Sequence, residues 1–133
     1  MAFVADNSVV LAWFVASQAT AYSEKMLRRA VEEVVLVPIV WHLEFANALY
    51  QLERRHKLKP ADSNAILHAV LDLALEVDTS PPEQMHLLDL ARRYGLSVYD
   101  ASYLELALRL SLELAANDGP LSAAAAKAGL KAP

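Results

Sequence analysis

Residues 2–8 read AFVADNS. An apolar run, Phe3 to Ala5, stops on the acid Asp6 and gives way to residues with helical spacing. So short an apolar run, bounded by turn-forming residues, reads as a buried strand of a parallel sheet. Val34 to Val37, closed by Pro38, repeats the pattern. Leu75 to Val77 ahead of DTSPP, and Leu112 to Ala116 ahead of NDGP, give a third and a fourth strand. A last short strand is expected at Leu130 to Ala132, after Gly129. Helical patterns at 22–31, 39–55, 61–73, 82–94, 100–110 and 121–128 separate these runs. Strands alternating with helices of this length predict an α/β fold, with a parallel sheet covered on both faces.

The 133 residues form one domain by length, and a chain of this size buries a substantial core without disulfides or structural metals. A composition 56% hydrophobic and 21% charged, with three glycines, excludes a disordered or collagen-like chain. Twelve basic and sixteen acidic residues leave a net charge of −4, so contact with nucleic acid must rely on local basic patches. The absence of cysteine excludes thiol nucleophiles and cysteine-ligated zinc. Val9 to Ala16 resembles the apolar core of a signal peptide, but Asp6 and no Lys or Arg precede it. No run approaches the roughly 20 apolar residues of a membrane span. The expected location is the cytoplasm, with no membrane partner.

Four acids stand in apolar surroundings: Asp6, Glu44, Asp100 and Asp118. Each has an ordinary explanation alone. Asp6 can cap a helix, although Asn7 and Ser8 can do so instead and leave Asp6 free for a metal; Glu44 favours the start of one, Ser97 and Asp100 have capping-box spacing, and Asp118 in NDGP suits a tight turn. Together they form a pattern, because Asp6 and Asp118 both follow strands, and ligands of open α/β sheets gather at the strands' carboxyl ends. In a sheet of order 3-2-1-4-5, strands one and four lie about 4.8 Å apart, and the two carboxylates face each other. Glu44 and Asp100, near helix starts, reach the same mouth. Clustered carboxylates repel unless a cation intervenes. Oxygen donors without neighbouring bases suit Mg²⁺ or Mn²⁺ better than zinc, and such ions activate water and neutralise phosphate charge. Metal-assisted phosphodiester hydrolysis is the chemistry this favours.

The helix from Ile39 is apolar over most of its circumference, more than one sheet can cover, so a second protein surface such as a dimer partner is expected there. At the helical period Glu44, Asn47, Gln51, Arg54 and Arg55 share one stripe, acidic at its start and basic at its end. Arg54 and Arg55 are the candidate contacts to an RNA backbone.

The segments FVADNSVVLAWF, VPIVWHLEFANAL, GLSVYDASYLELA and LAANDGPLSAAAAKAGL, in this order and setting, resemble a PIN domain. The whole chain looks like a VapC toxin of a prokaryotic toxin–antitoxin pair. The resemblance implies a three-layer α/β fold with a five-stranded parallel sheet, usually a homodimer. It also implies a Mg²⁺- or Mn²⁺-dependent endoribonuclease silenced by a cognate antitoxin. Asp6, Glu44, Asp100 and Asp118 match its acidic quartet, and Ser8 and Asn47 match supporting polar positions. One departure is Ala116, where the family commonly has Thr or Ser two residues before the last acid. The missing hydroxyl either weakens activity or leaves Ser8 or Asn117 to compensate.

Rival readings rest on fewer residues. His42 and Glu44 match half of a zinc deaminase signature, whose other half needs cysteines. A phospho-accepting receiver domain would use Asp78 as acceptor and Lys131 as its late lysine, leaving Glu44 and Asp118 unexplained. A PIN-like module that retains a dimerisation surface and has weakened catalysis is the third reading, and Ala116 favours it.

Overall fold

The computed structural model spans residues 1–133 and describes all of them except residue 118. Among the described residues a four-stranded parallel sheet has the order β3-β2-β1-β4, built from β1 (Ala2–Ala5), β2 (Val34–Pro38), β3 (Leu75–Asp78) and β4 (Leu114–Ala115). Seven α-helices surround it: α1 (Asn7–Phe14), α2 (Ala21–Glu32), α3 (Ile39–Arg54), α4 (Pro60–Val70), α5 (Gln84–Tyr94), α6 (Val98–Leu110) and α7 (Pro120–Lys127). A 3₁₀ turn at Ala16–Gln18 links α1 to α2.

Register sorts the core into faces. Phe3 pairs with Val35, and Val35 with Leu75, so these side chains share one face. Arg29 of α2 lies over the Phe3 ring at 4.9 Å, and α3 packs on β2 and β3, which puts α1 to α4 in one continuous layer. Helix α6 crosses β1, β2 and β4 and carries α5 and α7 with it as the second layer. β1 and β4 are largely buried and apolar throughout, whereas the edge strand β3 alternates apolar Leu75 and Val77 with Glu76 and Asp78 and is only partly buried.

The fifth strand expected at Leu130 to Ala132 does not form. Gly129 takes a positive φ of 87°, and its N–H donates to Ala126 O while that of Leu130 donates to Ala125 O. This is the paired closure of a helix C-terminus. The backbone that a fifth strand would use instead ends α7. The tail then runs to α2, where Lys25 Nζ donates to Pro133 O.

The predicted adjacency of strands one and four holds. Val4 pairs with Leu114 and Ala5 with Ala115. Helix boundaries differ modestly: α6 starts at Val98, two residues ahead of the expected Asp100, with Ser97 as its cap accepting from Asp100 N, and α4 stops at Val70 rather than Leu73. No helix among the described residues is long and apolar enough to cross a membrane.

Candidate active site

Asp6 is fixed from two sides. Its backbone N–H donates to Ala115 O at 2.9 Å, which seats the residue at the carboxyl end of β1 against β4. Its Oδ1 accepts from Val9 N at 3.0 Å, so Asp6 itself caps α1, and the cap does not fall on Asn7 or Ser8. Ser8 Oγ donates to the same carboxylate, 2.9 Å from Oδ1 and 3.1 Å from Oδ2, and Asn117 Nδ2 donates to Ser8 Oγ at 2.9 Å. This chain from Asn117 through Ser8 to Asp6 lies beside Ala116, where the familiar hydroxyl is missing. It ties the β4 end to the β1 end with polar groups the sequence does contain.

Glu44 sits in the second turn of α3, and its Oε1 accepts from Tyr103 Oη at 2.7 Å. Asp100 opens α6; its N–H is used by Ser97, but its carboxylate does not return the bond, so the side chain stays out of the cap. Asp6, Glu44 and Asp100 lie within electrostatic reach of one another, brought together from β1, α3 and α6. Asp118 lies outside the described residues.

Charge at this mouth is uncompensated. Burial, more than any other cause, pushes the Asp6 carboxyl up to about 6, and the neighbouring Asp100 and Glu44 add to the rise against the bonds from Val9 and Ser8. Burial also raises Glu44, with Asp100 adding to the effect and the Tyr103 bond opposing it. Asp100 is raised by burial alone. No lysine or arginine lowers any of the three. A buried group of acids without a basic partner is the environment a cation relieves.

The donor set therefore fits a hard divalent cation in kind: oxygen only, anionic and without a competing base. Its geometry is not closed, since among the described residues no three His, Asp or Glu side chains converge well enough to hold a metal ion.

Other expected residues take up less central positions. Asn47 is exposed one turn beyond Glu44 on α3. Arg54 is exposed at the end of that helix and lies over the Tyr50 ring at 5.9 Å, with Arg55 just after it. His42 lines an apolar cleft of about 450 Å³ with Trp41, Phe45, Leu71 and Val77; none of the acids borders it. The receiver reading fails on topology. Asp78 ends the edge strand β3 and is held by Arg109 Nη2 at 2.5 Å, while Lys131 belongs to the tail that meets α2.

Two tyrosines at the mouth carry no signal as site residues in the sequence. Tyr103, 1% exposed, follows Asp100 by one helical turn and reads as an ordinary core aromatic. Tyr22 of α2 has its hydroxyl raised by burial first and by Asp6 further, while the Ala116 backbone opposes the rise.

A PIN domain family model matches residues 3–127, and the chain belongs to this family. PIN domains are generally nucleases, and PIN nucleases generally depend on divalent metals. Among solved structures the chain is similar to PAE2754 from Pyrobaculum aerophilum, with 27% identity and a TM-score of 0.70 over 93% of this chain and 87% of that one. It is also similar to Mycobacterium tuberculosis VapC20, a sarcin-ricin loop cleaving toxin, with 19% identity and a TM-score of 0.62 over 97% of this chain and 96% of that one. At that identity the second likeness concerns the fold. No curated protein matches the chain.

Proposed function

We propose that this chain is a metal-dependent endoribonuclease of the VapC type, using Mg²⁺ or Mn²⁺ and restrained in the cytoplasm by a cognate antitoxin. The observation that carries this reading is the group of Asp6, Glu44 and Asp100 at the carboxyl end of β1, with raised carboxyl pKa values and no basic partner.

In this reading Asp6, Glu44, Asp100 and Asp118 hold the cation. Bound there, a divalent ion supplies Lewis-acid activation of water and neutralises charge on the scissile phosphate. Ser8 and Asn117 keep Asp6 aimed while it also caps α1. Asn47 lines the approach next to Glu44. Arg54 and Arg55 lie roughly 15 Å along α3 from Glu44 by the helical rise, where they meet the backbone of an RNA strand leaving the mouth. Ile39, Leu43 and Tyr50 are exposed on α3, which supports the use of this helix in a homodimer.

The test is cleavage of a mixed RNA pool by the purified protein with Mg²⁺ or Mn²⁺, compared with EDTA and with Asp6→Asn. Cleavage that needs both the metal and Asp6 supports the assignment. Equal cleavage by Asp6→Asn sinks it. Failure of the unaltered protein to cut under any condition favours the module with weakened catalysis, for which the buried Ala116 is the structural argument.

A further inference from the structure

Tyr103 has its ring buried between the helix layers and the sheet, at 1% exposure. Its hydroxyl reaches Glu44 Oε1 at 2.7 Å. The two residues belong to different layers, Tyr103 to α6 and Glu44 to α3, so the bond spans the carboxyl end of the sheet. Glutamate has three rotatable side-chain bonds, and a half-buried carboxylate without a partner would sample several rotamers. Here a group that cannot itself move fixes one oxygen. Tyrosine has a rigid ring and one terminal donor, so the position of α6 dictates where the hydrogen bond points.

Helix α6 thereby does two things at the mouth. Its first turn supplies Asp100, and one turn later, on the same face, it supplies the hydroxyl that restrains Glu44. Glu44 has no other hydrogen-bond partner among the described residues, which leaves Oε2 uncommitted. We propose that Tyr103 is a positioning residue for the cation site: by holding Glu44 Oε1 it presents Oε2 as the oxygen that the cation uses. This rests on the metal-dependent reading of the same site. A purely structural role is the competing explanation, because a buried tyrosine hydroxyl usually finds some partner.

The two separate in metal binding by the full chain, measured without RNA. Free Mn²⁺ is counted by electron paramagnetic resonance during titration of the unaltered protein, Tyr103→Phe, Glu44→Ala and the double variant. Tyr103→Phe removes only the hydroxyl and retains the buried ring. It is expected to weaken Mn²⁺ binding about 10-fold, the lower range for loss of a partner that orients a metal ligand. Its melting midpoint should stay within a few degrees of the unaltered protein. In the Glu44→Ala background the same change should weaken binding no further, since no carboxylate is left to position. Unaltered affinity in Tyr103→Phe would overturn the proposal while leaving the metal site standing. An equal loss with and without Glu44 would assign Tyr103 a general structural role and would overturn it too. If the unaltered protein takes up no Mn²⁺, the proposal and the metal-dependent reading both fall.

Discussion

Acids lie at both ends of this sheet, and the two ends treat them differently. At the amino end Glu33 precedes β2 and Glu113 precedes β4, and Arg29 joins them at 2.6 and 2.7 Å while covering the Phe3 ring. The Arg29 guanidinium holds the Glu33 carboxyl below its ordinary range, and the two carboxylates raise Arg29 in turn. At the carboxyl end Asp6, Glu44 and Asp100 are all raised, with burial as the first cause. The same residue types thus stabilise one end and, apart from Asp78, which Arg109 holds, burden the other. That this arrangement costs stability, in a domain that neutralises similar acids elsewhere, supports the proposal that a ligand supplies the missing charge there.

The largest effect expected from this contrast is on catalysis. Asp100→Asn should lower the RNA cleavage rate about 10³-fold, the scale of losing several kcal/mol of charge stabilisation at the reacting phosphate. Gel assays under single-turnover conditions measure it. A loss below tenfold would remove Asp100 from the site.

Stability should fall most at the other end. Arg29→Ala leaves Glu33 and Glu113 unpaired, and because these groups are only about one-fifth exposed, unfolding in urea should show a loss of about 2 kcal/mol. The difference should be full above about pH 4.5, the ordinary value of Glu33 in the unfolded chain, and should narrow as pH falls below it through the lowered value of the folded state. A constant difference down to pH 3 would mean that packing of Arg29 on Phe3, not charge, carries its contribution.

Asp6 gives the opposite sign. The folded protein binds the Asp6 proton more tightly than the unfolded chain, about 6 against 3.8. Its ionisation therefore removes stability as pH rises from about 4 through about 6, and the full cost is present at pH 7.5. Asp6→Asn still caps α1. Without metal it should be more stable than the unaltered protein by about 3 kcal/mol at pH 7.5, and the gain should vanish near pH 4. Equal stability at both pH values would show that the mouth carries no electrostatic burden. A smaller effect is expected at Asn117→Ala, which breaks the chain to Ser8. Loss of about 1 kcal/mol of transition-state stabilisation, or roughly fivefold in cleavage rate, is the scale of one hydrogen bond.

Much of this contrast can be read in the sequence, and the unread part has a physical cause. The strand runs follow from apolar segments between helices, the adjacency of β1 and β4 from the assumed order 3-2-1-4-5, and together they put Asp6 where β1 ends beside β4. Which of Asp6, Asn7 and Ser8 caps α1 is not local information: all three are able caps, and the bond from Asp6 N to Ala115 O fixes the choice from a distant strand. The same holds for Tyr103, whose partner lies 59 residues away on another helix. Leu130 to Ala132 misleads for the reverse reason, since the closure of α7 through Gly129 takes the Leu130 N–H locally.

The central claim is that the carboxyl-end acids await a divalent cation, and a melting experiment addresses it without any RNA. At pH 7.5, millimolar Mn²⁺ should raise the midpoint of the unaltered protein by several degrees through binding to the folded state. It should leave Asp6→Asn nearly unchanged, reversing the order of stability seen without metal. Equal shifts in the two proteins, or no shift in either, would contradict the claim.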